Sequence, residues 1–188
     1  MDPVSQPPAD PCAIVIFGAS GDLALRKLAP ALFALERDGR MPHGATILGF
    51  SRSESTDEAL RERVRAALAR DGAVHLGAWA AFAQRVKAVR GDYGSIESYA
   101  VLKAALEAAE RERPVHGNRL FYLAVPPSAC AEIVRHLGFA GLAPRGSGSQ
   151  ARGWTRVVIE KPFGRDLASA LALNEEIGTT LSEDQIYR

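Results

Sequence analysis

A run of small residues after the first apolar segment could hold a phosphate group. The apolar segment at 13–17 ends at Gly18, and Gly21 and Ala24 follow at intervals of three residues. A buried strand that turns at a glycine into a helix presents the first N–H groups of that helix to a diphosphate. The spacing is G-x-x-G-x-x-A rather than the common G-x-G-x-x-G. The run therefore predicts a phosphate-binding turn, with a tight strand-to-helix connection that holds no ligand as the alternative.

A basic residue stands where the second predicted strand ends. The apolar run 45–50 is typical of a buried parallel strand, and Arg52 follows it by two positions. Sites that prefer NAD have an acidic residue near this point to bind the ribose 2′-hydroxyl, whereas the first acidic residue here is Glu54. A guanidinium binds a 2′-phosphate through two hydrogen bonds and stacks on adenine. Arg52 therefore favours NADP, with a solvated surface arginine as the alternative.

A lysine stands at the end of another predicted strand. Lys161 follows the apolar run 157–159 and precedes Pro162, which favours an extended backbone at the lysine. Its ammonium group is then expected to point into the crevice at the strand end, where it could bind a phosphate or a substrate hydroxyl. Most lysines are only solvated, so this interpretation depends on the position rather than on the residue type.

Several other kinds of chemistry are not indicated. The 188 residues include 23 basic and 22 acidic side chains, so the net charge of +1 gives no bulk attraction for nucleic acid or an anionic membrane. Cys12 and Cys130 form no metal-ligand spacing and are too few for a disulfide framework. The four histidines have no carboxylate placed to make a base. The sequence therefore predicts a dinucleotide-binding protein with no metal site and no general base.

Five apolar segments alternate with helical patterns along the chain. Continuous apolar strands in a β-α-β-α order are typical of a Rossmann-type doubly wound parallel sheet with helices on both faces, which is the α/β fold predicted here. Ligands bind such sheets off the carboxyl ends of the strands, where the candidate residues lie. The predicted strands cover about 13–17, 45–50, 85–89, 120–125 and 157–159.

The helices predicted between these strands have definite ends. Pro30 should kink the first helix or start a second helical piece, and Gly39 should end it in a left-handed cap. Thr56 or Asp57 should cap the next helix, and Asp166 the last. The residues expected to face the core of the later helices are Ile96, Tyr99, Leu102, Leu106 and Ala109, then Cys130, Ile133, Val134 and Leu137, and finally Leu167, Leu171, Asn174 and Ile177.

Other segments carry weaker signals. Residues 71–84 have no clear pattern, and the glycine, proline and serine content of 138–153 predicts an exposed loop. Residues 1–11 are predicted to be a disordered lead-in that is neither a signal peptide nor a transit peptide. No apolar run approaches the ~20 residues of a membrane span. A cytoplasmic protein is the simplest interpretation.

Four stretches of the sequence resemble the amino-terminal coenzyme domain of the glucose-6-phosphate dehydrogenase family. They are GASGDLA at 18–24, RLFYLAVPP at 119–127, VIEKPFGRDL at 158–167 and EDQIYR at 183–188. The Glu-Lys-Pro-Phe-Gly and Asp-Gln-Ile-Tyr-Arg runs are the most specific part of the match. The order and spacing of these stretches extend the resemblance over about residues 12–188.

The resemblance implies a role for each candidate residue. The coenzyme would be NADP, with its 2′-phosphate on Arg52 and its nicotinamide half along Tyr122 and Pro126. Lys161 would hydrogen-bond the sugar substrate beside the nicotinamide, and Pro162 would shape that pocket. The implied coenzyme-binding residues are Gly18, Ala19, Ser20, Gly21, Asp22, Leu23, Ala24, Arg52, Asp92, Tyr93, Tyr122, Pro126, Lys161 and Pro162.

The reaction that the resemblance implies is the oxidation of glucose 6-phosphate to 6-phosphogluconolactone with NADP, in the oxidative pentose phosphate pathway. A Rossmann domain would cover 12–181, and 182–188 would begin the connection to a C-terminal substrate and catalytic domain. In the family the catalytic histidine comes after the position of Arg188, so no catalytic residue is expected in this chain. The chain alone is expected to bind NADP and to be inactive, and the full-length protein to form homo-oligomers through the missing domain.

Two other functions fit the residues. A small self-contained NADP-binding reductase would need a base within the chain, and Tyr99 and Lys103 have the Tyr-x-x-x-Lys spacing, although Tyr99 belongs to a predicted apolar helix face. A non-catalytic nucleotide-binding or scaffold module would need no base. A comparison of NADP with NAD binding distinguishes these functions.

Overall fold

The computed structural model describes residues 9–53, 56–70, 72, 74–146 and 153–188. Six parallel strands form one sheet in the order β3-β2-β1-β4-β5-β6. This arrangement confirms the predicted doubly wound sheet. The strands are β1 (Ala13–Phe17), β2 (Thr46–Ser51), β3 (Val86–Arg90), β4 (Arg119–Leu123), β5 (Thr155–Ile159) and β6 (Ile186–Tyr187).

Helices cover both faces of this sheet. A π-helical turn, Ala24–Leu28, continues directly into the first helix, and a 3₁₀ turn, Glu183–Gln185, precedes β6. The first three helices pack on one face and the last three on the other. The helices are α1 (Ala29–Arg37), α2 (Asp57–Ala69), α3 (Leu76–Ala83), α4 (Ile96–Glu112), α5 (Pro127–Phe139) and α6 (Leu167–Thr180).

The central strands are buried on both faces. In β1, Val15 and Phe17 belong to the core under the last three helices, and Ile14 and Ile16 belong to the core under the first three. This two-sided burial is why β1 and β2 are continuous apolar runs without alternation. At the carboxyl end of β1, the Phe17 ring lies 5.0 Å from the Phe50 ring, measured between centroids. The carboxyl ends of β1 and β2 are therefore joined by a packed aromatic pair.

Four of the predicted helix ends are confirmed. Pro30 is the second residue of α1 and so starts a second helical piece, and Gly39 has a φ of +65° after the end of that helix. The Thr56 hydroxyl accepts a hydrogen bond of 3.1 Å from the Ala59 N–H. Asp166 caps α6 by accepting a hydrogen bond of 2.8 Å from the Ser169 N–H. The apolar face around Cys130 is also buried as predicted.

Two of the predicted helix faces are partly wrong. Leu167 and Leu171 are 75% and 60% exposed, whereas the buried residues of α6 are Leu173 and Ile177. Since each residue turns the helix by about 100°, Leu171 lies about 160° around the axis from Leu173. Ile96 is 43% exposed because α4 first reaches the core one turn later.

The predicted exposed loop at 138–153 is wrong at its beginning. Helix α5 continues to Phe139, and Leu142 and Ala143 are buried. Gly141, with a φ of +66°, donates its N–H to the Gly138 carbonyl, and Leu142 donates to the Leu137 carbonyl. This pair of bonds is a Schellman cap, which turns the residue after the glycine back against the core. Residues 147–152 lie outside the described part.

Two further elements were not predicted. Helix α3 forms within the segment 71–84, and its Phe82 ring packs edge-on against Phe33 at 5.6 Å. Strand β6 pairs with β5 near the end of the chain. Residues 1–8 of the predicted disordered lead-in lie outside the described residues. Among the helices described, none is long and apolar enough to cross a bilayer.

A buried ion pair ties two connections together at the amino-terminal edge of the sheet. The Nε atom of Arg85 lies 2.8 Å from a carboxylate oxygen of Glu36, and the two side chains are only 11% and 10% exposed. The Nη1 atom of Arg85 also donates hydrogen bonds to the carbonyls of Pro42, His43 and Ala45. One guanidinium therefore holds α1, the strand that follows α3 and the connection into β2.

We expect Arg85→Met to lower the free energy of unfolding by about 3–5 kcal/mol, because it leaves the Glu36 carboxylate buried without its partner. Arg37→Met is the matched control, since Arg37 pairs with Asp38 at the surface and should cost about 0–1 kcal/mol. Urea denaturation of both variants measures the difference. Equal losses would contradict the role assigned to Arg85.

Candidate functional site

A cleft of about 480 Å³ opens at the carboxyl ends of β1, β2 and β4. It lies where the strand order reverses, with β2 on one side of β1 and β4 on the other. Nucleotides bind doubly wound sheets at this switch point. The residues that line it are Gly18, Ser20, Gly21, Ser51, Arg52, Ser53, Tyr93, Ala124, Val125 and Pro126.

The backbone at Gly18 explains why the turn begins with glycine. Its φ is +79°, and a Cβ atom there would lie 2.4 Å from the Ala124 carbonyl oxygen. The Gly18 N–H donates to the Phe50 carbonyl at 3.1 Å, which holds the turn against the end of β2. Any side chain would force the turn away from β4. The turn can therefore lie this close to the end of β4 only with a glycine at position 18.

The turn closes on itself before the helix starts. The Gly21 N–H donates to the Gly18 carbonyl at 2.8 Å, and helical backbone begins at Asp22 and Leu23. The first N–H groups of a helix have no acceptor within the helix, so this end is suited to an anion. Asp22 itself is exposed and pairs with Arg26 at 3.3 Å. The turn after β1 therefore leads into a helix end whose first N–H groups are suited to an anion, and its role as a phosphate site stays a prediction.

Small residues let the helix lie close to the sheet behind the turn. Ala19 and Ala24 are buried, and Ala24 is the last position of the G-x-x-G-x-x-A run. Gly49 in β2 completes this packing, because a Cβ atom there would lie 2.8 Å from the Ala19 Cβ and 2.6 Å from a Leu60 methyl group. Gly49 was not predicted from the sequence as part of the site. A glycine inside an apolar strand was the available signal.

Polar groups gather at one end of the cleft. Arg52 is exposed at the cleft wall, next to Ser53. The Ser53 hydroxyl donates to the Ser20 hydroxyl at 3.1 Å, and Arg63 in α2 donates to the Ser20 carbonyl at 2.9 Å. The glycine turn and Arg52 are thus brought together as predicted. Sequence reasoning missed Ser53 and Arg63, because only the fold brings them to Ser20.

Tyr93 joins the cleft to the core. Its ring lies 6.0 Å from Phe17 and 5.9 Å from Phe50, and its carbonyl accepts a hydrogen bond of 2.9 Å from the Tyr99 hydroxyl. The neighbouring Asp92 is exposed, and its carboxylate accepts the Gly94 N–H at 2.9 Å. Asp92 shapes the turn and Tyr93 lines the cleft.

Tyr99 and Lys103, which have the Tyr-x-x-x-Lys spacing, are structural residues outside the cleft. Tyr99 is fully buried, and burial raises the pKa of its hydroxyl above the ordinary value. Lys103 donates to the Ala140 carbonyl at 3.4 Å, on the outer side of the helix layer. Neither residue is among those that line the cleft. The structure therefore favours packing over a reductase-type base for this pair.

A second cleft of about 460 Å³ adjoins the first and shares Pro126 with it. Its walls are the amino-terminal end of α5 and the loop after β5. Pro162 and Arg165 contribute from that loop, and Ser128 from the helix. The two clefts together extend from β2 past β4 to β5, which is a path suited to an elongated ligand.

Lys161 and Tyr122 lie beside this path. Lys161 is exposed and directly precedes Pro162. The Tyr122 hydroxyl donates a short hydrogen bond to the Glu160 carboxylate, and burial together with that carboxylate raises the pKa of Tyr122 to about 12. Tyr122 is therefore a neutral donor at physiological pH. Neither Tyr122 nor Lys161 belongs to the lining of either cleft, and the bond to Glu160 places Tyr122 beside the residue that precedes Lys161.

Other reactive groups are buried or dispersed in the described part of the chain. No group of three or more His, Cys, Asp or Glu side chains there could hold a metal ion. Burial raises the pKa of both Cys12 and Cys130 to about 11, which leaves their thiols protonated and inert. The ring Nδ1 of His136 lies 3.0 Å from the Tyr93 carbonyl, behind the cleft wall.

We expect Gly18→Ala to lower the free energy of unfolding by about 3 kcal/mol or more. The strain of a left-handed backbone at an alanine is about 1–2 kcal/mol, and it adds to the steric clash of the new Cβ atom with Ala124. Gly39→Ala is the control, since Gly39 has a similar φ of +65° but nothing within 4 Å of the added Cβ. Unfolding in urea should show only the strain for Gly39→Ala. An equal decrease in the free energy of unfolding of both variants would contradict the claim that the close approach to β4 contributes to the cost.

Comparison with known proteins shows which family this chain belongs to. Residues 15–188 match the family model described as "Glucose-6-phosphate dehydrogenase, NAD binding domain". Glucose-6-phosphate 1-dehydrogenase of Chlamydia muridarum is 36% identical over 185 residues, which are 97% of this chain and 36% of that protein. The chloroplastic enzyme of Nicotiana tabacum is 42% identical over 179 residues, 94% of this chain and 29% of its own length.

A solved structure supports the same relationship. A glucose-6-phosphate dehydrogenase in complex with its substrate glucose-6-phosphate aligns with a TM-score of 0.82 and 39% identity, over 95% of this chain and 36% of that one. The chain thus spans about a third of the length of the relatives that it matches. It belongs to the glucose-6-phosphate dehydrogenase family and contains that family's dinucleotide-binding domain.

Proposed function

We propose that this chain is the NADP-binding part of an enzyme that oxidises glucose 6-phosphate to 6-phosphogluconolactone. The main support for NADP over NAD is the polar end of the first cleft, which is lined by Arg52, Ser53 and Ser20. No carboxylate is among the described residues that line this cleft. A 2′-phosphate needs a cation and hydroxyl donors, whereas a free 2′-hydroxyl is usually bound by a carboxylate.

The coenzyme would extend along both clefts. Its diphosphate would lie on the turn 18–24 and its 2′-phosphate on Arg52, with Asp92 and Tyr93 on the opposite wall. The nicotinamide half would continue past Pro126 toward Pro162 in the second cleft, with Tyr122 nearby. When bound, the nicotinamide supplies the acceptor for the hydride that leaves the sugar.

Lys161 is the residue proposed to hold the sugar. It is exposed beside Pro162, and its ammonium group can donate to a substrate hydroxyl next to the second cleft. The base that takes the proton is not proposed among this chain's residues, because none of the four histidines lines either cleft. We place it in the part of the relatives that lies outside the matched region.

The remaining proposals concern the whole enzyme. Its substrate would be glucose 6-phosphate, and it would assemble as a homo-oligomer through a domain outside this chain. The cytoplasm is the proposed compartment, in keeping with the relative named as cytoplasmic from Arabidopsis thaliana. No nucleic acid or membrane partner is proposed, since the net charge is only +1.

We expect Arg52→Ala to weaken NADP binding at least about tenfold and to leave NAD binding unchanged, because only NADP carries the 2′-phosphate. Isothermal titration of each coenzyme into the 188-residue chain measures both constants. Arg65→Ala, an exposed arginine on α2 away from the cleft lining, is the control and should change neither. A wild-type chain that binds NAD as tightly as NADP would overturn the proposed coenzyme.

The same chain should form no lactone from glucose 6-phosphate and NADP. General-base catalysis contributes on the order of 10²–10⁴-fold to such reactions, and no histidine or carboxylate is among the described residues that line the two clefts. Formation of reduced coenzyme, followed by absorbance, measures the turnover. Steady production that depends on enzyme concentration would contradict the placement of the base outside this chain.

A further inference from the structure

We propose that Arg165 makes the second cleft favour the reduced coenzyme, because its positive charge opposes that of an oxidised nicotinamide ring. This inference rests on the proposed NADP function and adds a residue to which the proposed contacts assign no role. Arg165 is exposed and is one of the residues that line the second cleft. The nicotinamide half of the coenzyme is the part proposed to lie in that cleft, between Pro126 and Pro162.

The charge of Arg165 is not paired within the described part of the chain. Its backbone N–H donates to the Ser169 hydroxyl at 2.9 Å, whereas its guanidinium forms no hydrogen bond or ion pair with any described residue. The neighbouring Asp166 carboxylate binds the start of α6 instead, where it accepts the Ser169 N–H at 2.8 Å. The positive charge and the N–H donors of Arg165 are therefore available to a ligand in the cleft.

The other groups at this cleft do not oppose that charge. No carboxylate is among the described residues that line it. Lys161, next to the lining residue Pro162, is a second exposed cation. The amino-terminal end of α5, which forms one wall, carries the positive end of the helix dipole. A positive field therefore acts in the cleft, and Arg165 is the described lining residue that contributes a full charge to it.

The loop that carries Arg165 is held against α6. A Cβ atom on Gly164 would lie 2.6 Å from the Ala170 nitrogen, so the loop packs directly on the first turn of that helix. The bond from the Arg165 N–H to Ser169 lies in the same place. The backbone of Arg165 is thus fixed beside the cleft before any ligand arrives, which lowers the entropy lost on binding.

The two redox states of the coenzyme differ in the charge of one ring. The oxidised nicotinamide ring is a cation and the reduced ring is neutral, while the diphosphate and the 2′-phosphate are the same in both. A cation at the cleft therefore weakens the binding of NADP⁺ relative to NADPH. Because Arg165 is exposed, solvent screens the repulsion, and one unit charge should change the ratio of the two dissociation constants about 2- to 5-fold.

A hydrogen-bonding role for Arg165 predicts a different result. If its guanidinium donated to a phosphate or a ribose of the coenzyme, its loss would weaken both redox forms by the same factor. If it acts through charge on the ring, its loss would change the ratio between them. The ratio of the NADP⁺ and NADPH dissociation constants therefore separates the two roles. A partly unfolded variant does not disturb this ratio, since both ligands are measured on the same protein.

The experiment is isothermal titration of NADP⁺ and of NADPH into the 188-residue chain and its variants. Arg165→Gln should lower the ratio of the NADP⁺ constant to the NADPH constant about 2- to 5-fold, and Arg165→Glu should lower it further by a similar factor. Arg165→Lys should keep the ratio of the wild type. Arg65→Gln removes the same charge from α2, outside the described lining of both clefts, and should leave the ratio unchanged. The effect of Arg165→Gln should diminish as the salt concentration is raised.

Two results would overturn the inference. One is an unchanged ratio in both Arg165→Gln and Arg165→Glu, in a wild-type background that still binds NADP more tightly than NAD; this would leave the proposed function intact. The other is an equal loss of affinity for both redox forms, which would assign Arg165 to a hydrogen bond with the coenzyme. A wild-type chain that binds NADP no more tightly than NAD would instead overturn the proposed function itself.

Discussion

The close approach of Gly18 to Ala124 is the constraint on which the site depends. A Cβ atom at Gly18 would lie 2.4 Å from the Ala124 carbonyl, so the turn after β1 touches the end of β4. On its other side, the Gly18 N–H is bonded to the end of β2 through Phe50. The chain therefore leaves the sheet while still in contact with both neighbours of β1, and the cleft opens there.

Aromatic packing connects the end of β1 to the wall of the cleft. Phe17, the last residue of β1, packs against Phe50, and the Tyr93 ring packs on both. Tyr99 then fixes the Tyr93 backbone by a hydrogen bond from inside the core. Because close-packed rings leave little room for rotation, one wall of the cleft is formed before any ligand arrives. The polar end is different, since Arg52 is exposed there.

The sequence predicted those features that depend on neighbours along the chain. The strands, the Thr56 and Asp166 caps, and the glycine at the turn follow from local patterns. Features that depend on distant contacts were missed or wrong. Arg63 meets Ser20 only through the fold, and the buried face of α6 depends on what the helix packs against. The cap at Gly141 was local but lay inside a segment rich in turn residues.

A crystal structure of this chain grown with NADP would test the proposed coenzyme site most directly. We expect the diphosphate to lie over the turn between Gly18 and Gly21, and the 2′-phosphate to lie within hydrogen-bond distance of Arg52. The nicotinamide ring should lie beyond Pro126, next to the loop that carries Pro162. A coenzyme bound elsewhere on the sheet, or a 2′-phosphate that points into solvent away from Arg52, would contradict it.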